Sequence, residues 1–199
     1  MVKKLRNRAA RIALLGVMLA VLVGCGGRDY QTKGIENLLP PLRFELTAES
    51  GEPITEAAFR GAPAVVFFGF THCPDVCPTA MARIAAAMEA AGAPASDLRV
   101  LFVSVDPGRD DPATLKRYTD FFSDRVTGAT ADVETLREMT KRYRATFGYG
   151  EPNEFGDYSV SHSSAMYLFD AKGEARALFS PDDSVAAMAA DLRRVASEG

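Results

Sequence analysis

Past its first forty residues the chain alternates short apolar runs with longer stretches of helical period. "AVVFFGF" (64–70) is apolar throughout and follows Pro63, which predicts a strand buried on both faces. "TAMARIAAAMEAAG" (79–92) predicts a helix ending near Gly92-Ala93-Pro94. "LRVLFVSVD" (98–106) repeats the buried-strand signature, and "DPATLKRYTDFF" (111–122) predicts a helix with Pro112 in its first turn. In "VETLREMTKRYRATF" (133–147), Val133, Leu136, Met139, Tyr143 and Phe147 recur at helical spacing. "SSAMYLFD", the turn "AKGE" and "ARALFS" predict a strand–turn–strand hairpin. "DSVAAMAADLRRVASE" predicts a closing amphipathic helix, with Asp182 or Asp183 as its N-cap. Upstream, "LRFELTA" (42–48) suits a strand or hairpin arm.

Strand–helix–strand–helix followed by an antiparallel hairpin and a helix makes a single α/β domain, a central mixed β-sheet flanked by helices. The thioredoxin-like fold has this order. A doubly wound sheet would want another parallel strand in place of the hairpin. In the thioredoxin-like order the reactive site falls just after the first core strand, where the next helix begins.

The first residues have a different character. "MVKKLRNRAAR" carries five positive charges and no negative one, and the twelve apolar or small residues of "IALLGVMLAVLV" follow. At 1.5 Å per residue that run spans roughly 18 Å, short of the roughly 30 Å of a bilayer core. Basic start plus short apolar run predicts a secretory signal peptide rather than a permanent membrane helix. It ends in "LVGC", which resembles the bacterial lipobox, where cleavage leaves the cysteine N-terminal and lipidated. The expected organisation is a lipoprotein signal peptide over 1–24, a lipid anchor at Cys25, a flexible tether over 25–41 closed by Pro40-Pro41, and the domain over 42–199. Removing the five basic residues takes the formal charge from −3 to −8. An acidic exported domain without a basic block favours basic partners over nucleic acid. The expected place is the periplasmic side of a bacterial membrane.

That compartment is oxidising enough for thiol pairs to close. With Cys25 assigned to lipid, Cys73 and Cys77 remain as one pair in "GFTHCPDVCPTAM". Three residues separate them, one more than in the usual dithiol redox motif, and no second pair completes a zinc site. Pro74 and Pro78 bias the preceding cysteines towards extended geometry, so the two are not expected at i and i+4 of a regular helix. Cys77, beside a helix N-terminus, is expected to favour its thiolate. The loop therefore suits either a disulfide that opens and closes or two soft ligands for Cu(I) or zinc. Of the two histidines, His72 should point away from its neighbour Cys73. His162 precedes the hairpin in a loop that would face the cysteines, and its position alone leaves open a structural or a ligating role. Met81, Met88 and Met166 sit at core spacing and are assigned no metal.

"FGFTHCPDVCPT", "VSVDPGRDDP" and "YSVSHSSAMYLFD", in that order across most of residues 42–198, resemble the Sco/SenC family of copper-binding proteins, which assist cytochrome c oxidase assembly. The resemblance implies a thioredoxin-like domain binding one copper, Cu(I) or Cu(II), through Cys73, Cys77 and His162. It implies as partner the copper-accepting subunit of cytochrome c oxidase, with other periplasmic copper chaperones or thiol reductants, and a position at the membrane. Asp106 matches an acidic family position, near the metal or facing a partner; a turn-capping role after the strand is the alternative. The family commonly has Asp before the ligand histidine, and this chain has Ser161. Many relatives carry a transmembrane helix where this chain has the lipobox. A thiol–disulfide oxidoreductase that reduces the partner's cysteines uses the same cysteine loop. A peroxidase fits poorly, because the segment lacks the Thr-x-x-Cys arrangement.

Overall fold

The computed structural model describes residues 30–198; the leader and Cys25 lie outside them. Ten strands are present among the described residues: β1 (Lys33–Gly34), β2 (Glu45–Ala48), β3 (Pro53–Thr55), β4 (Ala64–Gly69), β5 (Arg99–Ser104), β6 (Val126–Thr130), β7 (Phe147–Tyr149), β8 (Val160–His162), β9 (Met166–Phe169) and β10 (Ala175–Phe179). The α-helices are α1 (Val76–Ala91), α2 (Pro112–Thr119), α3 (Val133–Arg142) and α4 (Val185–Ser197). Eight strands form one sheet in the order β1-β10-β9-β4-β5-β6-β2-β3, while β7 and β8 pair only with each other.

The centre of the sheet is β4, whose six residues are all buried. It runs parallel to β5, from Ala64 opposite Arg99 to Gly69 opposite Ser104, and antiparallel to β9. Alternation of side chains divides the apolar run between two cores. Val65 and Phe67 face Met81, Ile84 and Met88 of α1 and Leu192 and Val195 of α4. Val66 and Phe68 face Leu136 and Met139 of α3, with Phe44 and Phe59. Burying each such Phe contributes about 1.5–3 kcal/mol, so a polar residue within 64–69 would damage both layers.

Several local differences separate this architecture from the pattern-based reading, among them β8, which ends in His162 where a loop was expected. β6, which pairs parallel with β5, is not evident in "RVTGATA", since its Thr-Gly-Ala-Thr carries little apolar signal. The helix expected over 133–147 stops at Arg142, because Arg144 adopts φ 55°. Left-handed backbone ends a helix, and Phe147 is released into β7. The last helix is capped by Ser184, whose side chain accepts from the Ala187 N–H; Asp183 instead accepts from the Ser180 N–H and closes the preceding turn. Within the stretch expected to be a tether, residues 30–41 are ordered against the domain. β1 pairs with β10, Ile35 is buried, and Asp191 of α4 accepts from the Gln31 and Thr32 N–H groups at 2.8 and 2.9 Å.

Parallel β4 and β5 end side by side at Gly69 and Ser104, so the segments after them, 70–75 and 105–111, emerge together. The β7–β8 arm lies over the same end, and it carries His162.

Candidate metal centre

After Gly69 the chain turns tightly, with the Cys73 N–H donating to the Phe70 carbonyl at 3.3 Å. Cys73 lies before α1 and Cys77 in its first turn, where Pro78 removes an N–H that would have no helical partner. The pair is not at i and i+4 of one helix because Cys73 lies before it. Cys77, expected to be extended ahead of Pro78, is helical instead, since Pro78 sits in the first turn where its missing N–H has no partner to lose. The Cys77 N–H points at the Cys73 sulfur, 3.4 Å away. Both cysteines are free thiols; Cys73 is half-buried and Cys77 fully buried. Gly69 makes room for the inner sulfur: a Cβ there would lie 2.8 Å from Cys77 Sγ and 2.8 Å from the Phe102 ring.

His162 ends β8 with Nε2 3.2 Å from Cys77 Sγ and Nδ1 3.0 Å from the Ser163 carbonyl. A carbonyl oxygen only accepts, so Nδ1 carries the proton and the Nε2 lone pair faces the sulfurs. Phe67 and Phe70 meet the imidazole edge-on, at centroid separations of 5.9 and 5.7 Å. One ligand atom from each of Cys73, Cys77 and His162 lies within 4.8 Å of the others. Two soft sulfurs and one imidazole, with no carboxylate among them, suit a soft or borderline cation.

Burial sets the charge state of this cluster. It lowers the His162 imidazole below its ordinary range and keeps the ring neutral at neutral pH. It pushes the Cys77 thiol well up, with smaller contributions from the Cys73 thiol and the Asp110 carboxylate. The thiolate expected at Cys77 from its helix N-terminus is therefore overruled: desolvation of a fully buried sulfur outweighs the partial positive charge of the helix end. A protonated Cys77 donating to a neutral His162 follows from both shifts.

The other candidates stand apart from the cluster. His72 is exposed and turned away, with Nδ1 3.1 Å from Thr71 Oγ1 and 3.5 Å from Asp110. Met81, Met88 and Met166 are core residues. Asp106 is fully buried, accepting from Arg109 Nε and from the Tyr158 hydroxyl, each at 2.6 Å. It presents no surface to a partner and also serves the turn, since its carbonyl accepts from the Arg109 and Asp110 N–H groups. Ser161 is exposed and on the opposite face of β8, its hydroxyl reaching the Gly148 carbonyl at 3.4 Å. Orientation of the imidazole thus rests on the Ser163 carbonyl and not on residue 161.

Sequence reasoning missed Asp110. It is fully buried and accepts from the Thr71 N–H at 2.8 Å, from Thr71 Oγ1 at 2.6 Å and from Ser104 Oγ at 2.6 Å. It thereby ties the cysteine loop to the end of β5. Two acidic residues four apart behind a buried strand, in "VDPGRD", were the available signal. Arg109 and Tyr158 were missed as well; nothing in their local sequence pairs them.

The SCO1/SenC family model matches residues 38–197. Among curated proteins, the chain is 37% identical over 133 residues to the mitochondrial SCO2 homolog of Mus musculus, covering 65% of this chain and 52% of that protein. It is 31% identical over 152 residues to an SCO2-like protein of Rickettsia conorii, covering 75% of this chain and 74% of that one. The matched region spans about half the length of the mouse protein and of the mitochondrial SCO1 homolog of Homo sapiens. Among solved structures, copper-bound ScoI of Bradyrhizobium japonicum superposes with a TM-score of 0.69 at 35% identity, covering 78% of this chain and 98% of that one. Copper-bound ScoI of Arabidopsis thaliana gives 0.73 at 28% identity, with 80% and 99% covered. The sheet, with its four flanking helices, has the thioredoxin-like arrangement of these Sco structures. By family model, sequence and fold together, the chain belongs to the SCO1/SenC family.

Proposed function

We propose that this protein is a copper carrier that binds one copper ion through Cys73 Sγ, Cys77 Sγ and His162 Nε2 and serves assembly of the copper site of cytochrome c oxidase. The observation that carries the reading is the convergence of two thiols and one imidazole lone pair within 4.8 Å, at the end of the sheet. The chain's own residues prepare the cargo site. Phe67 and Phe70 exclude water around the ring, the Ser163 carbonyl holds its tautomer, and Gly69 admits the inner sulfur. Binding displaces thiol protons, so uptake releases acid. Half-buried Cys73 is the outward ligand, where an acceptor's thiol would enter. A groove of about 290 Å³ near the start of α1, with Val76, Ala80, Met166 and Pro181 as its apolar lining and Asp75 and Arg83 as its charged residues, offers the acceptor a seat.

The chain works outside the cytoplasm, held at a membrane by lipid on Cys25; the leader is read from sequence, and among the described residues no helix is long and apolar enough to cross a membrane. A second reading rests on the unequal burial of the two thiols. An outward sulfur beside a protected one suits thiol–disulfide exchange. Cys73 would attack the partner's disulfide and release one partner thiolate. Cys77 would then close the Cys73–Cys77 bond and free the second, so that two electrons and two protons leave this protein and reduce the partner.

One experiment separates the two. Reduced, copper-loaded protein is mixed with the apo copper-binding domain of an oxidase, and metal and thiol states are followed together. Metal transfer with thiols unchanged is the expected result. Thiol oxidation with no metal movement would replace the carrier with the reductase, and failure of the reduced protein to take up about one copper per chain would remove the site.

A further inference from the structure

The β7–β8 arm that carries His162 is bonded to no strand of the main sheet, so other contacts must set where the imidazole stands. Phe67 and Phe70 pack on the ring and Thr146 holds Ser163 at the base of the arm; the remaining polar contacts of the arm converge on the segment after β5. The Tyr149 hydroxyl donates to the Val105 carbonyl at 2.6 Å. The Tyr158 hydroxyl donates to Asp106 Oδ1 at 2.6 Å. Arg109 donates from Nε to Asp106 Oδ2 at 2.6 Å and from Nη1 to the Tyr158 carbonyl at 3.2 Å. Its guanidinium lies 4.1 Å from the centre of the Tyr158 ring. Gly108 permits this approach, since a Cβ there would lie 3.2 Å from the Tyr158 hydroxyl.

The same guanidinium faces the metal centre. Arg109 lies 5.9 Å from the centre of the Phe70 ring, and Phe70 packs edge-on against His162. One side chain therefore touches the arm carrying the imidazole and the ring that walls it. Asp110, the next residue, holds the cysteine loop through Thr71. Segment 105–110 thus fastens the imidazole with one buried carboxylate and the thiols with another. Hydrogen bonds to ionised partners at such short separations are stronger than neutral ones, and a guanidinium that stacks and forks cannot be replaced by an ammonium.

We propose that Arg109 and Tyr158, held by Asp106, form a latch that positions His162 against the two sulfurs and thereby sets copper affinity. The inference rests on the copper reading above. Arg109 and Tyr158 are positioning residues and touch no ligand atom. Anchoring Tyr158, four residues before His162, fixes the start of β8, while the Thr146–Ser163 contact holds its end beside the imidazole; without Tyr158 the strand is held from one side only.

The test uses Tyr158→Phe, which removes one hydroxyl from a partly exposed side chain, with Arg109→Lys as a second variant and thermal melts to show that both fold. Cu(I) affinity of the reduced chain is measured by competition with a chromophoric chelator, in wild-type and His162→Ala backgrounds. The expected result is a loss of about 10- to 100-fold, the usual range for residues that orient a ligand. In the His162→Ala background the loss should vanish, and the reduction potential of the Cys73–Cys77 pair should not move. Unchanged affinity in both variants, or an equal loss without His162, overturns the latch. Hydrogen exchange on the metal-free chain keeps the two readings apart. Amides of β8 should exchange faster in Tyr158→Phe while those of β4 and β5 do not, and unchanged β8 exchange overturns the latch whatever the metal result. Wild-type protein that binds no copper sinks the copper reading alone.

Discussion

His162 Nε2 stands 3.2 Å from Cys77 Sγ although eighty-five residues separate them in the chain. The contact joins the first turn of α1, after the central strand, to an arm outside the main sheet. Cys77 is fully buried and His162 half-buried, and this burial favours the neutral ring and the protonated thiol. The measurable properties of the site follow from this pairing.

The two thiols should differ sharply in reactivity. Cys73 is half-buried and Cys77 has no exposed surface, with its thiol pushed up by burial. Alkylation of the reduced protein near neutral pH, mapped by mass spectrometry, should label Cys73 about tenfold faster or more, because thiolate fraction and access act in the same direction. Equal labelling would show that Cys77 is not sequestered.

Stability of the reduced, metal-free protein should fall on both sides of neutrality. His162 has a lowered value in the folded state, so its contribution is present above the ordinary imidazole value of 6.5 and is lost as pH falls through the lower folded value. Cys77 has a raised value, so its contribution is present below the ordinary thiol value of 9.0 and is lost as pH rises beyond it. Denaturant unfolding across pH should show both limbs. His162→Gln should remove part of the acid limb and Cys77→Ser part of the alkaline one; variants that reproduce the wild-type profile would contradict the assignment.

Gly69→Ala should injure fold and site together. Its Cβ would meet the inner sulfur and the Phe102 ring at 2.8 Å each, and overpacking of this kind costs about 1–3 kcal/mol. Urea unfolding measures the cost, and copper titration should show weaker uptake as the Cys77 sulfur is pushed aside. A fully stable variant with wild-type uptake would mean that the close approach is relieved cheaply.

Asp110→Ala should loosen the cysteine loop without touching a ligand. It strips three donors, the Thr71 N–H, Thr71 Oγ1 and Ser104 Oγ, of their acceptor. Each donor that stays buried and unpaired costs about 1–3 kcal/mol. A lower melting temperature, with faster alkylation of Cys77, is the expected pair of results. Faster alkylation should be milder in Asp110→Asn, which keeps an acceptor oxygen.

Much of this was legible in the chain. "AVVFFGF", "LRVLFVSVD" and the 163–180 hairpin carry runs of β-branched and aromatic residues, and β4, β5, β9 and β10 fall within them. Pro74 agrees with Cys73 lying before the helix, but Cys77 is helical although Pro78 follows it, because a proline in the first turn costs no helical hydrogen bond. β6 was hidden because a short strand of Thr, Gly and Ala is defined by its neighbours, β5 and β2, and not by its own hydrophobicity. The overrun of α3 has a similar origin. Tyr143 and Phe147 keep helical spacing, but the Tyr143 hydroxyl donates to the Pro41 and Arg43 carbonyls, and Phe147 pairs with His162 in the arm. Tertiary contacts outbid the local period.

The sequence by itself determined the order of the four helices and of β4, β5, β9 and β10, and the place of the thiol pair, because apolar periodicity and the Cys-Pro spacing act over a few residues. His162 could be named as a candidate on family resemblance, but its distance from the sulfurs is set by folding. Tertiary structure alone decided the protonation of Cys77, since desolvation depends on what the other layers cover. It also decided which carboxylates matter: Asp106 holds Arg109 and Tyr158, and Asp110 holds Thr71. Those partners lie between three and fifty-two residues away along the chain, and long-range pairings of polar groups leave no periodic trace in one sequence.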